Sequence, residues 1–108
     1  MHAAGYAACG LPWSYVPFAM TTDRLRGALE GMRALGVRGL GVSMPFKIEV
    51  MPLLDRIDDL ASRIGATNTI VNDDGILVGH NTDAEGASRA LEEAGVDLGR
   101  ARCLVLGA

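Results

Sequence analysis

Lys47 closes the stretch GVSMPFK (41–47), and it is the only lysine among ten basic side chains, the rest being arginine. The two types differ in what they can do. A guanidinium does not release its proton in a protein, whereas an ammonium does, so only the lysine can serve as a general acid or base. Pro45 suits the first turn of a helix, which puts Lys47 at a helix start, where the macrodipole disfavours a cation unless an anion compensates. Fields of this kind turn lysines into acid–base groups near neutral pH. A solvated surface lysine is the plain alternative, and the residue count leaves both readings open.

Asp83 has the same two readings. An aspartate in the first turn of a helix gains about 0.3–1 kcal/mol from the dipole with no function required. Asn81 and Thr82 before it fit caps or turn residues. Asn68 is more telling, because an amide between two threonines at the head of an apolar strand must find partners or open onto a site. The Ser43 hydroxyl sits at the same strand end as Lys47 and is otherwise a cap. His2 and His80 have no nucleophile and no ligand set beside them, so both read as structural and no metal site is expected. Cys9 and Cys103 are isolated and read as two reduced thiols.

The elements that must carry these residues alternate in type. The stretch 1–10 is helix-compatible and ends at Gly10, and WSYVPFAM (13–20) reads as a strand weakened by Pro17. TTDRLRGALEGMRALG is the clearest helix, with Thr21 or Thr22 as cap, Gly36 as stop, and Leu25, Ala28, Leu29, Met32 and Leu35 on one apolar stripe. VRGLGVS (37–43) reads as a buried strand. A helix from Pro45 is interrupted at Pro52, and DDLASRIG forms another short one. TNTIV and ILVGH flank NDDG, a hairpin turn signal. NTDAEGASRALEEAG is a helix with a capping box of Thr82 and Glu85, and RCLVLGA reads as a last strand. Together these predict an α/β fold: a three-layer sandwich with a mainly parallel sheet plus one hairpin. In such sheets ligands gather at the carboxyl ends of strands, where 43–47, 67–69 and 81–83 arrive.

The chain has 108 residues, 49% hydrophobic and 21% charged, which is ordinary composition for one globular domain. Its net charge of −3 and scattered acidic residues argue against nucleic acid as partner. No apolar run approaches the roughly 18 residues that span a bilayer. The N-terminal stretch lacks a basic n-region, so no signal peptide is expected and a cytoplasmic location is.

In this order and spacing, GVSMPFK, GATNTIV, GHNTDAEG and CLVLGA resemble the shikimate dehydrogenases, with PFK and NTD the most diagnostic. The resemblance implies an NADP-dependent oxidoreductase that interconverts 3-dehydroshikimate and shikimate in aromatic amino acid biosynthesis. It makes Lys47 and Asp83 the catalytic pair, with Asp83, Asn68 and Ser43 binding substrate. Gly107 and Ala108 become the opening of the NADP phosphate loop, and Asp59 an acidic residue near the cofactor. It divides the chain into a substrate-binding domain (1–82), an interdomain helix (83–100) and the first strand of a Rossmann domain (101–108). It further implies a strand with substrate-gripping serines before His2 and most of a cofactor domain after Ala108, so the isolated chain is expected to be inactive and to self-associate or form a homodimer. Gly41, where many members carry asparagine, keeps quinate open as the substrate, and a non-catalytic truncated domain is the remaining alternative.

Overall fold

A computed structural model describes residues 2–106. Among these residues eleven short elements follow one another. Helix α1 (His2–Ala8) buries none of its residues and ends near Gly10, whose φ of 65° is of the kind that stops helices. Residues 11–21 form no regular structure. The strand expected over 13–20 is therefore absent: Pro17 has no N–H to give a ladder, and these side chains are nearly all exposed.

A 3₁₀ turn (Thr22–Arg24) leads into α2 (Leu25–Ala34). The apolar stripe is real where it faces the sheet, with Leu25, Leu29 and Met32 buried, but Leu35 lies past the helix end and is 81% exposed. Thr21 makes no side-chain cap, and the Thr22 hydroxyl instead donates to Glu49 at 3.0 Å. Strand β1 (Gly39–Gly41) is followed by the four-residue helix α3 (Phe46–Glu49), a 3₁₀ turn (Met51–Leu53) containing Pro52, and β2 (Arg56–Ile57). Helix α4 (Asp59–Ile64) has a complete set of signals: the Asp58 side chain accepts from the Ala61 N–H at 2.6 Å, and Gly65 ends it at φ 75°.

Strands β3 (Thr69–Asp73) and β4 (Ile76–His80) form the expected hairpin. Asp74 and Gly75 both hold positive φ, 48° and 95°, the requirement of the tight turn whose twist matches the strands it joins. Helix α5 (Asp83–Glu93) follows at once. The expected capping box is not made: Thr82 has no side-chain bond to the helix, and Glu85 pairs with Arg89 one turn on. The Thr82 hydroxyl is occupied by Asn68 instead.

The sheet order is β1–β3–β4–β2. β1 pairs with β3 and β3 with β4 antiparallel, and only the two-residue β2 runs parallel to β4. The sheet is mixed and mostly antiparallel, not mainly parallel as the alternation of elements predicts. The hairpin sits in the middle of the sheet and β1 joins its outer edge antiparallel, so the pattern of β and α units does not here produce parallel neighbours. The expected third layer is also not formed by the described residues. Ile70, Asn72, Leu77 and Gly79 make one buried face, which packs with α2 and Val50, while Val71 and Ile76 on the other remain exposed. Residues 101–106 form no strand, having no ladder partner among the described residues, and the expected end of that strand at Gly107 and Ala108 lies outside them.

Two polar side chains lock the core. Asn72 is buried and donates to the Val37 and Met32 carbonyls while accepting from the Gly75 N–H at 2.7 Å, tying the hairpin turn to the end of α2. Thr67 is fully buried, and its hydroxyl has no partner among the described residues. It lies against Gly79, where an added Cβ would stand 2.9 Å from that oxygen and 2.6 Å from the Leu54 side chain. Thr67→Val removes an unmatched hydroxyl without opening a cavity, so it is expected to stabilise the fold by about 1 kcal/mol. Gly79→Ala overfills the same spot and should cost about 1–3 kcal/mol. Urea denaturation checks both, and a lowered midpoint for Thr67→Val would show that its hydroxyl is bonded after all.

Candidate active site

Three local structures converge at one end of the sheet. The stretch 42–47 leaves β1 and turns into α3, Val42 donating through its N–H to the Asn68 carbonyl at 2.7 Å and Phe46 to that of Ser43 at 3.0 Å. The loop 66–68 runs from α4 to β3, and the Thr67 N–H donates to the Lys47 carbonyl at 2.8 Å. Residues 81–83 leave β4 and open α5. As a result Lys47 and Asp83, 36 residues apart, meet with Lys47 Nζ 2.6 Å from Asp83 Oδ2.

The Lys47 hydrogen bond comes first among the causes that hold the Asp83 carboxyl below the usual carboxylate range, with the Asn68 amide second. The pair is open to solvent, the side chains being 26% and 57% exposed. Ion pairs so placed contribute about 0–1 kcal/mol to stability. Stability alone is thus a weak reason for an ammonium and a carboxylate at this spot, and a cation able to exchange protons beside a fixed anion is what the geometry offers.

Asn68 stands beside the pair. Its Oδ1 accepts from the Thr69 hydroxyl at 2.9 Å and the Thr82 N–H at 3.1 Å, and its Nδ2 donates to the Thr82 hydroxyl at 2.9 Å. An amide carries two N–H donors, and those of Asn68 serve the Thr82 hydroxyl and the Asp83 carboxylate, which ties the amide to the pair. Ser43 is exposed and lines a cleft of about 390 Å³ between the 14–20 stretch and the β1 edge, together with Tyr15, Phe18 and Gly41. Lys47, Asn68 and Asp83 are not among the residues lining this cleft. The cleft is mostly apolar and none of these three polar residues lines it, so the chemistry is located by the ion pair rather than by this hollow.

Asp59 opens α4, exposed, and shares no hydrogen bond or ion pair with Ser43, Lys47, Asn68 or Asp83. Its neighbour Asp58 is the engaged one, with Oδ2 2.6 Å from His80 Nδ1. His80 thus has a carboxylate partner that no spacing rule in the sequence could have found. Thr82 is the other residue the sequence undervalued, since a threonine before a helix signals a cap, not a side chain that orients an amide. The described residues contain no group of His, Cys, Asp and Glu able to hold a metal and no helix long and apolar enough to cross a membrane.

Comparison with known proteins gives a consistent family. The model described as shikimate dehydrogenase substrate binding domain matches residues 1–70. A shikimate dehydrogenase (NADP(+)) of Moorella thermoacetica is 48% identical over 108 residues, all of this chain but 37% of the relative. One of Methanothermobacter thermautotrophicus is 45% identical over 108 residues, 38% of its length. Among solved structures, the shikimate 5-dehydrogenase of Listeria monocytogenes in complex with shikimate and NAD superposes with a TM-score of 0.85 at 43% identity, covering 90% of this chain and 34% of that one. The Thermus thermophilus enzyme in complex with NADP(H) and shikimate gives 0.84 at 36% identity, covering 90% and 37%. The chain therefore spans well under half the length of the relatives it matches.

Asp55, Asp58 and Asp83 all sit below their usual value of 3.8. The leading causes are the Leu77 N–H for Asp55, the Ala61 N–H for Asp58, and Lys47 for Asp83. The unfolded chain then binds protons more readily than the folded one, so this stabilisation is complete above 3.8 and is lost as pH falls through the folded values. Urea midpoints are expected to drop through that acid window, and less steeply in Asp55→Asn, which removes the carboxylate bonded to Leu77 and Arg33. A midpoint that stays level through it would show that these contacts are not held in solution.

Proposed function

Since the chain belongs to the family of shikimate dehydrogenase substrate-binding domains, we propose that it is the substrate-holding part of an NADP-dependent shikimate dehydrogenase. The observation that carries this reading is the 2.6 Å contact between Lys47 and Asp83. In it, Lys47 gives a proton to the carbonyl oxygen of 3-dehydroshikimate as the carbonyl is reduced, and takes it back in the reverse direction. Asp83 stays ionised, steadies the ammonium and accepts a hydrogen bond from a ring hydroxyl. Asn68, clamped by Thr69 and Thr82 and facing the Asp83 carboxylate, turns its amide to a second hydroxyl when substrate enters, and Ser43 supplies a further hydroxyl contact from the cleft edge.

The proposed organisation is a substrate-binding domain over 1–82, an interdomain helix over 83–100 and the start of a Rossmann domain at 101–108. The exposure of every residue of α5 from Glu85 onward supports a helix that packs on something outside this chain. NADP is the proposed cofactor, after the relatives named as NADP(+) enzymes. The described residues form no cradle for a dinucleotide, 101–106 making no strand, and Asp59, exposed at the start of α4, is proposed as the acidic residue near the cofactor. Gly107 and Ala108, the residues proposed to open that cradle, lie outside them. The chemistry assigned to this chain accordingly stops at substrate and proton. Self-association or a homodimer is proposed for the isolated chain, supported by exposed apolar side chains such as Phe18, Leu104 and Leu106.

Quinate is the second reading, favoured by Gly41, which presents no side chain to the cleft and leaves the nearest polar group there as the Tyr15 hydroxyl, 3.8 Å from where a Cβ would stand. Titration of the isotopically labelled chain with shikimate, followed by NMR, tests the proposal. Saturable shifts are expected at Ser43, Lys47, Asn68 and Asp83, and are expected to vanish in Lys47→Ala. Saturation by quinate but not shikimate would move the assignment to that substrate, and a well-dispersed spectrum indifferent to both would overturn it.

A further inference from the structure

Both halves of the Lys47–Asp83 pair hang from the same two residues. The Thr67 N–H holds the Lys47 carbonyl at 2.8 Å. One residue earlier, the Ala66 carbonyl accepts from Asn81 Nδ2 at 2.9 Å, and Asn81 Oδ1 in turn accepts from the Asp83 N–H at 3.0 Å. Asn81 is 6% exposed, and its amide is matched on both its nitrogen and its oxygen. It bonds to neither charged group of the pair.

We infer that Asn81 is a positioning residue, whose side chain bridges Ala66 to the Asp83 backbone so that the Asp83 carboxylate arrives opposite the Lys47 ammonium. Three features favour this over a helix cap. A cap needs only an acceptor for the first free N–H groups, and here the nitrogen end of the amide is used as well. That nitrogen reaches back to a loop, not to α5. The loop it reaches is the one that fixes Lys47, so the two ends of the ion pair share one frame of reference. Alignment of the charged atoms then depends on a short chain of contacts, Lys47 to Thr67, Ala66 to Asn81 and Asn81 to Asp83, with no flexible side chain between the backbone segments except the buried amide itself. Groups that act together on a substrate must be held to fractions of an ångström, which is what such a frame provides.

The inference rests on the reading of Lys47 and Asp83 as the working pair, and the test separates the two. The Asp83 carboxyl carbon is followed by NMR through the acid range in the unaltered chain, in Lys47→Ala, in Asn81→Ala and in Asn81→Ser. Loss of Lys47 is expected to raise the Asp83 midpoint toward the usual carboxylate value. Asn81→Ala is expected to move it the same way while the Asp55 midpoint stays where it was, and Asn81→Ser, which keeps an oxygen near the Asp83 N–H but cannot reach Ala66, to fall between. An Asp83 midpoint that moves in Lys47→Ala but not in Asn81→Ala overturns the role of Asn81 and leaves the pair standing. No movement in Lys47→Ala overturns the pair and the inference together. Should Asn81→Ala not fold, hydrogen exchange in the unaltered chain decides: slow exchange of the Asn81 side-chain amide and the Asp83 N–H supports the bridge, and exchange at the rate of exposed amides overturns it.

Discussion

With Asp74 and Gly75 both at positive φ, the chain reverses within two residues, and residues 69–73 have no choice but to pair with 76–80. Much of the remaining structure is hung on that reversal. β1 adds to the outer edge of β3, β2 to the outer edge of β4, and α2 covers the face that presents Ile70 and Leu77. Asn72 makes the dependence mutual, since its side chain closes the turn at Gly75 and also holds the carbonyls that end α2. A buried amide with every group matched contributes specificity that an apolar residue of similar size would not.

The hairpin also determines where chemistry can occur. Its open end presents Asn68 and Thr69 on one strand and His80 and Asn81 on the other, with Thr69 opposite His80 in the register. Asn68 donates through its backbone to the His80 carbonyl at 3.0 Å and grips Thr82 through its side chain. The loop before β3 and the segment after β4 are therefore brought together by sheet pairing, not by any affinity between the site residues themselves. The Lys47–Asp83 attraction is too exposed to organise the loops around it. It is a consequence of the scaffold, which is the order of cause expected where side chains must be in place before a ligand arrives.

Close packing reaches into the site from below. Gly79 admits Thr67 and Leu54 where any side chain would exclude them, and Thr67 carries the N–H that fixes the Lys47 carbonyl. Its unpartnered hydroxyl is a small local defect in an otherwise matched core. Asp58 makes a comparable junction on the β4 side, capping α4 with one carboxylate oxygen and meeting His80 with the other. Short elements such as β2 and α3 have little stability of their own, and these junctions are what fix them.

Features that depend on neighbouring residues were legible in the sequence. Asp-Gly between two apolar runs specified the hairpin, Asp58 and Gly65 bounded α4, and the spacing of Leu25, Leu29 and Met32 specified the buried stripe of α2. Asn68 stood out as a polar side chain at the head of an apolar strand, whereas Lys47 and Asp83 each kept a plain reading until the resemblance of their motifs singled them out. The direction of the sheet came from tertiary contacts alone, since strand pairing depends on which edges are free and not on the order of β and α along the chain. The same contacts left residues 13–20 and 101–106 without a strand, a strand being stable only beside a partner. They took Thr82 from the helix it precedes and gave its hydroxyl to Asn68. And they brought Lys47 within 2.6 Å of Asp83, a distance set by contacts between backbone segments far apart in the chain, which no local pattern of residues can encode.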